Sequence, residues 1–229
     1  MCRGRRNVAI FVMGMGCPVG GRHRGLRRVS YPGSSVPGMT TVGDRLYFFS
    51  GSADLPPGQG VHEWVADQAR YGVLAGVRHW RRMLSNFWPA DFRLGEHTYR
   101  TVEHAFQAAK IAIVDPALAE RFALDSGTEL ARGDGAAARK HRTLVLLDEA
   151  QLRQWDAGKH AVMREAMRAK FGRHEPLRTV LLGTLTAELW HGVGRGQPPI
   201  RIHDLETIRE VLRRQRAAAP ARRASSGRG

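Results

Sequence analysis

The sequence predicts a mainly α protein: a compact single helical domain with a few short β-strands. Three observations carry that prediction. A series of capped, amphipathic segments fills the middle of the chain. Only two short stretches have the aromatic or hairpin character of strands. Apolar residues make up 42% and charged residues 25% of 229 positions, the balance of a soluble folded domain, and this length supplies one ordinary domain. A domain of this size buries roughly 70% of the surface of its unfolded chain, so it needs neither disulfides nor metals to hold together.

Each element follows from local chemistry. Leu46-Tyr47-Phe48-Phe49 is a compact aromatic run and reads as a strand. Leu55 to Gly60 is a loop by its Pro and Gly content. The stretch from Val61 to about Val77 reads as a helix. Phe92-Arg93-Leu94 and Thr98-Tyr99-Arg100 flank Gly95-Glu96 as a hairpin. Thr101 caps a helix to about Ile113, with Val102, Phe106, Ala109 and Ile113 on one stripe. Asp115-Pro116 starts another, to about Leu124, with a capping Asp and Pro at the first helical position. Asp125-Ser126-Gly127 and Gly133-Asp134-Gly135 read as turns. Asp148 opens a long helix through Phe171, stopped by Gly172. Glu175 to Leu182 is helical, with Leu177, Val180 and Leu181 inward. Asp204 caps a last helix whose apolar face is Leu205, Ile208, Val211 and Leu212.

The net charge of +15 is a property of the ends. Residues 1–40 hold seven Arg and no acid, and residues 209–229 hold seven Arg and one Glu. The residues between hold 22 Lys/Arg and 20 Asp/Glu. Basic tails attract phosphates and anionic surfaces without specificity; a protein that binds nucleic acid through them is one function class. The domain reading is therefore a basic, disordered extension over 1–40, a folded domain over 41–215 and a disordered basic tail over 216–229. Asn7 to Gly16, behind Arg5 and Arg6 and ending at Cys17, loosely echoes a signal peptide, but it is short and broken by Gly14 and Gly16. Met39 is an attractive later start. Cys2 and Cys17 are the only cysteines, which leaves the folded part no disulfide framework or structural zinc and fits a reducing, cytoplasmic setting. No apolar run reaches the roughly 20 residues of a membrane span.

Several chemistries are missing from the sequence. There is no GxxxxGK[ST], GxSxG, HExxH or CxxC. Gly192-Val193-Gly194-Arg195-Gly196 lacks the strand and helix that a dinucleotide fingerprint needs. The ten His are scattered without metal-ligand spacing. The expectation is chemistry without cofactor or metal, or none.

Three stretches are unusual for a plain core. Leu84-Ser85-Asn86-Phe87-Trp88 sets two polar side chains inside an aromatic loop. In Thr101 to Lys110, Glu103, Gln107 and Lys110 recur at i, i+4 and i+7, a polar stripe beside the apolar one. A solvated helix face has the same pattern. Trp155, Met163, Met167, Lys170 and Phe171 share helical spacing, as core residues commonly do.

Together these stretches resemble the NADAR/YbiA-like family. The resemblance is carried by LSNF at 84–87, TVEHAFQAAK at 101–110, and the series Trp155, Met163, Lys170-Phe171 followed by Leu181-Leu182. Gly60 and Glu63 in GQGVHE, SGTELARGDGAAARK at 126–140 and AEL at 187–189 also match, so the likeness spans roughly residues 46–213. It implies an N-glycosidase that cleaves a base–ribose bond in a compact, mainly helical fold. Two substrate classes follow from it: ADP-ribose attached to guanine in DNA or RNA, and phosphoribosylamino-pyrimidine intermediates of riboflavin synthesis. One departure stands out. Many members end in an acidic residue followed by WGxG, whereas this chain reads ELWHGVGRGQPPIR, with His191 near a position where riboflavin-type members tend to carry Glu. That tilts the reading toward the ADP-ribose branch. A non-catalytic module binding ADP-ribose or a nucleotide is the alternative.

The resemblance also implies roles. Cleaving an N-glycosidic bond builds positive charge on the ribose, and a carboxylate stabilises it or deprotonates water, as in glycoside hydrolases; Glu103 is assigned that role. His191 is the candidate proton donor to the leaving base, because imidazole titrates near neutrality. Trp155 is the expected stacking platform. Arg81, Lys110, Lys170 and Arg195 are candidates for phosphate groups. Asn86 and Gln107 would orient hydroxyls or the carboxylate, and Ser85, Phe87, Gly60 and Glu63 complete the expected substrate contacts.

Overall fold

The computed structural model describes residues 43–194 and 196–225. The expected extension over 1–40, with Cys2, Cys17, Met39 and the segment Asn7 to Gly16, lies outside the described residues, as do Arg195 and residues 226–229. In chain order the elements begin with β1 (Arg45–Phe48), a 3-10 turn (Gln68–Tyr71), α1 (Gly72–Ala75) and α2 (Trp80–Leu84). The hairpin β2 (Phe92–Leu94) and β3 (His97–Tyr99) precedes α3 (Val102–Ile111) and α4 (Pro116–Glu120). Then come α5 (Glu129–Arg132), α6 (Gly135–Lys140), α7 (Glu149–Arg173) and α8 (Glu175–Gly183). The chain closes with β4 (Glu188–His191), β5 (Ile200–Arg201) and α9 (His203–Ser225). Helix dominates and the strands are few and short, as the sequence predicts. No described helix is long and apolar enough to cross a membrane.

The caps explain where the helices begin. Thr101 accepts from the His104 N–H, Asp115 from Leu118, Thr128 from Ala131 and Asp134 from Ala137. Each satisfies an amide that the helix itself leaves unpaired. Asp148 and Gln151 form a reciprocal capping box at α7. The hairpin turns at Gly95, whose φ of 61° is a conformation glycine reaches without a Cβ clash.

α3 packs against α4, α6 and α7, at the centre of the helical layer. Its deepest apolar positions are Val102, Ala105, Ala108 and Ile111, while Phe106, Ala109 and Ile113 are only part-buried. The expected stripe therefore sits at the edge of the real core face. Contact with helices on two sides buries a broader arc than one stripe, and the two small alanines let those helices come close.

Other expectations are corrected. Val61 to Val77 is no continuous helix. Trp64 exchanges backbone hydrogen bonds with Arg45, and the Ala66 N–H donates to Asp44. Asp67 then caps only a 3-10 turn. α4 stops at Glu120 rather than Leu124, and α7 passes through Gly172 to Arg173. A solvent-facing glycine costs a helix only about 1 kcal/mol, too little to end one. β4 and β5 were not foreseen. β4 runs parallel to β1, in register from Arg45↔Glu188 to Phe48↔His191, with β5 antiparallel on its other edge. α9 is helical from His203 to Ser225.

Candidate active site

The site is built on the first two turns of α3. Glu103 lies one residue inside the Thr101 cap, and its backbone N–H donates to the Asn86 carbonyl at 3.2 Å. That bond ties the 84–88 loop to the helix start. Gln107, one turn on, donates from Nε2 to Glu103 Oε1 at 2.8 Å. Both side chains are buried, Glu103 to 7% and Gln107 to 5% exposure. The polar stripe is thus not a solvated face.

Two opposing effects act on the Glu103 carboxyl. Burial raises its pKa, while the Gln107 hydrogen bond and the charges of Arg139 and Arg142 lower it. Burial wins, and the carboxyl titrates above its usual range. Gln107 Oε1, meanwhile, is buried without a hydrogen-bond partner. An unpaired buried acceptor costs about 1–3 kcal/mol, and among the described residues Gln107 Oε1 has no donor. One carboxyl oxygen is held, and an open acceptor sits beside it.

The loop 84–88 is held from beneath by Lys170. Its ammonium, fully buried on α7, donates to the carbonyls of Ser85 at 2.7 Å and Met83 at 3.2 Å. Burial draws its pKa down to about 7. Lys170 is therefore a loop anchor rather than a group facing phosphate. Ser85 is buried and its hydroxyl accepts from the Phe87 N–H. Asn86 donates to the Met163 sulfur at 3.2 Å. Phe87 is half-buried beside Gly135, where a Cβ would fall 2.5 Å from Phe87 Cα. Only glycine lets α6 come this close.

His191 ends β4, opposite Phe48 in the parallel pair and edge-on to the Phe48 ring at 5.3 Å. Burial and then the Arg139 charge hold its pKa down to about 4. At that pKa the imidazole is uncharged at neutral pH. The Arg139 charge acts on Glu103 and His191 alike.

Five other residues have structural work. Glu63, with its side chain fully buried, accepts from the backbone of Tyr47, Gly58 and Gly60 and from Arg81 Nε and Nη2 at 2.7 and 2.6 Å. Arg81 spends its remaining donors on the carbonyls of Ala53, Leu55 and Pro56. A Cβ at Gly60 would lie 2.7 Å from the Glu63 carboxyl carbon. Gly60, Glu63 and Arg81 together close the 53–63 loop, and their donors and acceptors are taken up there. Trp155 is 8% exposed and meets the Phe106 ring edge-on at 4.8 Å. It packs in the seam between α3 and α7, while Phe87, Trp88 and Phe106 are only part-buried. Lys110 donates to the Arg142 carbonyl at 3.0 Å, half-buried beside the Arg142 charge.

Sequence reasoning missed Arg139 and Arg142. The signal was the run Arg139-Lys140-His141-Arg142 at the end of α6, but its link to Glu103 exists only once α6 packs on α3. His104 was also passed over. Its ring, fully buried, bridges Thr101 Oγ1 at 2.7 Å and the Leu130 carbonyl at 3.0 Å. The carbonyl only accepts, so Nε2 carries the proton and Nδ1 accepts from Thr101. Among the described residues no group of three or more His, Cys, Asp or Glu is arranged to hold a metal ion. Two shallow depressions lie elsewhere, on the α8–α9 side around Arg213 and Glu206, and neither includes Glu103; the convergent polar groups, not concavity, mark the site.

Comparison with known proteins gives concordant matches. The NADAR domain family model matches residues 77–193. The N-glycosidase YbiA of Shigella flexneri serotype 5b (strain 8401) is 34% identical over 138 residues, 56% of this chain and 79% of that protein. The N-glycosidase YbiA of Escherichia coli (strain K12) is 35% identical over 138 residues, with the same coverage. The NMR structure of the E. coli protein YbiA is 28% identical, covers 62% of this chain and 81% of that one, and superposes with a TM-score of 0.44.

Proposed function

The chain belongs to the NADAR family, and on that footing we propose that it is an N-glycosidase that hydrolyses a base–ribose bond, removing ADP-ribose from guanine in nucleic acid. The observation that carries the activity is the buried Glu103–Gln107 pair, a carboxyl with one oxygen fixed at 2.8 Å and a raised pKa. The choice of substrate is supported by His191. Where riboflavin-type members tend to carry Glu, this chain sets an imidazole that is neutral at pH 7, and the neighbouring charges Arg139 and Arg142 suit a polyanion.

The chemistry runs as follows. The bond from the anomeric carbon to the base nitrogen lengthens, its electron pair leaves with the base, and positive charge builds on the ribose ring. The Glu103 carboxylate stabilises that charge and takes a proton from water as the water oxygen joins the anomeric carbon. Gln107 Nε2 fixes the carboxylate, and Gln107 Oε1 accepts from a ribose hydroxyl or from the water. The departing base gains a proton from solvent, while the neutral His191 adds no charge to repel the ribosyl cation. Phe87 offers an aromatic face for the base.

The test compares the full chain with Glu103→Gln on two substrates, a DNA oligonucleotide bearing ADP-ribosylated guanine and a phosphoribosylamino-pyrimidine. Release of ADP-ribose by the parent, lost in the variant, is the expected result. Cleavage of the pyrimidine alone moves the protein to the riboflavin-type substrate. Binding of ADP-ribose without cleavage of either makes it a binding module.

A further inference from the structure

Glu103 stands in the first turn of α3, where a helix leaves its amides without internal partners and tends to fray. Its carboxyl is fixed by Gln107, and its own N–H by the Asn86 carbonyl. The next residue, His104, holds the turn itself. Its ring is fully buried, yet no step of the cleavage uses it.

His104 is bonded twice to the helix cap. Its backbone N–H donates to Thr101 Oγ1 at 3.2 Å, and the Thr101 hydroxyl donates to Nδ1 at 2.7 Å. Glu103 lies within the span that these bonds close. On the other side of the ring, Nε2 donates to the Leu130 carbonyl at 3.0 Å, a hydrogen bond that ties α3 to α5. α5 packs on α6, and α6 sets Gly135 against Phe87, the neighbour of Asn86. The contacts around Glu103 thus run from Asn86 to Phe87, across to α6 and α5, and back through His104 to α3. Burial holds the His104 pKa below the usual imidazole value, so the ring is neutral. A neutral imidazole has one donor and one acceptor, and each is taken here.

We infer that His104 is a positioning residue for the cleavage: its ring, bridging the Thr101 hydroxyl and the Leu130 carbonyl, holds the first turn of α3 so that the Glu103 carboxyl stays on the reacting bond. A misplacement of about 1 Å costs on the order of a hundredfold in rate, so the effect falls on turnover rather than on substrate binding. The inference rests on the reading of Glu103 as the carboxylate of the N-glycosidase.

Asparagine and glutamine separate the two halves of the bridge. His104→Asn sets an amide oxygen near the place of Nδ1, so it keeps the Thr101 bond and falls short of Leu130. His104→Gln reaches the Leu130 carbonyl with an amide N–H. Native-state hydrogen exchange is measured on the full chain and on both variants. It is read beside kcat and KM on the two substrates of the cleavage assay, with Glu103→Gln for comparison. In His104→Asn the Glu103 amide exchanges about ten- to hundredfold faster, while amides in the middle of α7 keep their rates. Its kcat falls by a similar factor and KM holds within about twofold. His104→Gln recovers most of both. Parental exchange at Glu103 with parental kcat in His104→Asn overturns the inference. So does faster exchange spread equally over α3 and α7, which marks a general loss of stability, and so does an Nδ1–H ring in the nitrogen NMR spectrum of the parent. If Glu103→Gln cleaves as well as the parent, the reading of Glu103 fails and takes the positioning role with it. If Glu103→Gln is inactive while His104→Asn matches the parent, the positioning role alone fails.

Discussion

Replacing Lys170 with Met separates a loop anchor from a substrate ligand. The ammonium is fully buried and its pKa falls from 10.5 to about 7. Between those values the unfolded chain holds a proton that the folded protein does not, so stability rises with pH across the window. Below pH 7 both states are protonated and the whole penalty of burying the charge applies. One pKa unit is about 1.4 kcal/mol, so the penalty is about 5 kcal/mol at pH 6 and about 2 kcal/mol at pH 9. Met fills similar space without charge. It leaves the Met83 carbonyl unpaired at a cost of about 1–3 kcal/mol, while the Ser85 carbonyl keeps the Trp88 N–H. Lys170→Met is therefore about 2–4 kcal/mol more stable than the parent at pH 6, and that gap narrows by about 3 kcal/mol at pH 9. Activity moves the opposite way, because the loop that bonds the Glu103 amide loses its anchor. Urea unfolding at pH 6, 7.5 and 9, beside kcat and KM, reads both. Parallel stability curves for the two proteins would refute the depressed pKa, and full activity in the variant would refute the anchoring role.

Other outcomes follow from the same geometry. Glu63→Ala leaves the Arg81 charge buried and unpaired, so urea unfolding shows a loss of about 3–5 kcal/mol, with KM unchanged in whatever fraction stays folded; a raised KM at intact stability would return Glu63 to the substrate. The acidic limb of kcat/KM lies above the ordinary carboxylate range because burial raises Glu103. Arg142→Ala moves that limb to still higher pH by removing a charge that lowers it, and a limb that stays put or moves down contradicts the assignment. The His191 ring, held at about 4, shows no titration between pH 5.5 and 8 by NMR; a midpoint near 6.5 would place it in solvent. Gly135→Val drives a side chain into Phe87, where a Cβ meets Cα at 2.5 Å, and the thermal midpoint falls by an amount matching an overpacking cost of about 1–3 kcal/mol or more.

The expected and observed elements diverge for identifiable reasons. Helix starts were legible because caps are local: Thr101, Asp115 and Asp148 each satisfy an amide three residues on. The hairpin was legible for the same reason, through Gly95. β4 was not, because its partner β1 is more than a hundred residues away in sequence and parallel pairing leaves no mark on either four-residue run. The helix expected over Val61 to Val77 failed because Asp44 and Arg45 bind that segment's backbone from a distance.

By itself the sequence determined the helical class, the capped starts of its helices and the block that holds Glu103 and Gln107, since each is set by residues within a turn of one another. Tertiary structure alone decided the work of each charged group. Arg81 and Lys170 read as free cations along the chain, yet folding buries both among carbonyl and carboxylate acceptors that desolvation obliges them to use. Arg139 and Arg142 were passed over along the chain, yet in the fold their charges act on the Glu103 carboxyl. Spacing fixes which side chains share a helix face, but burial and the partners met across the core fix what a charge is able to do.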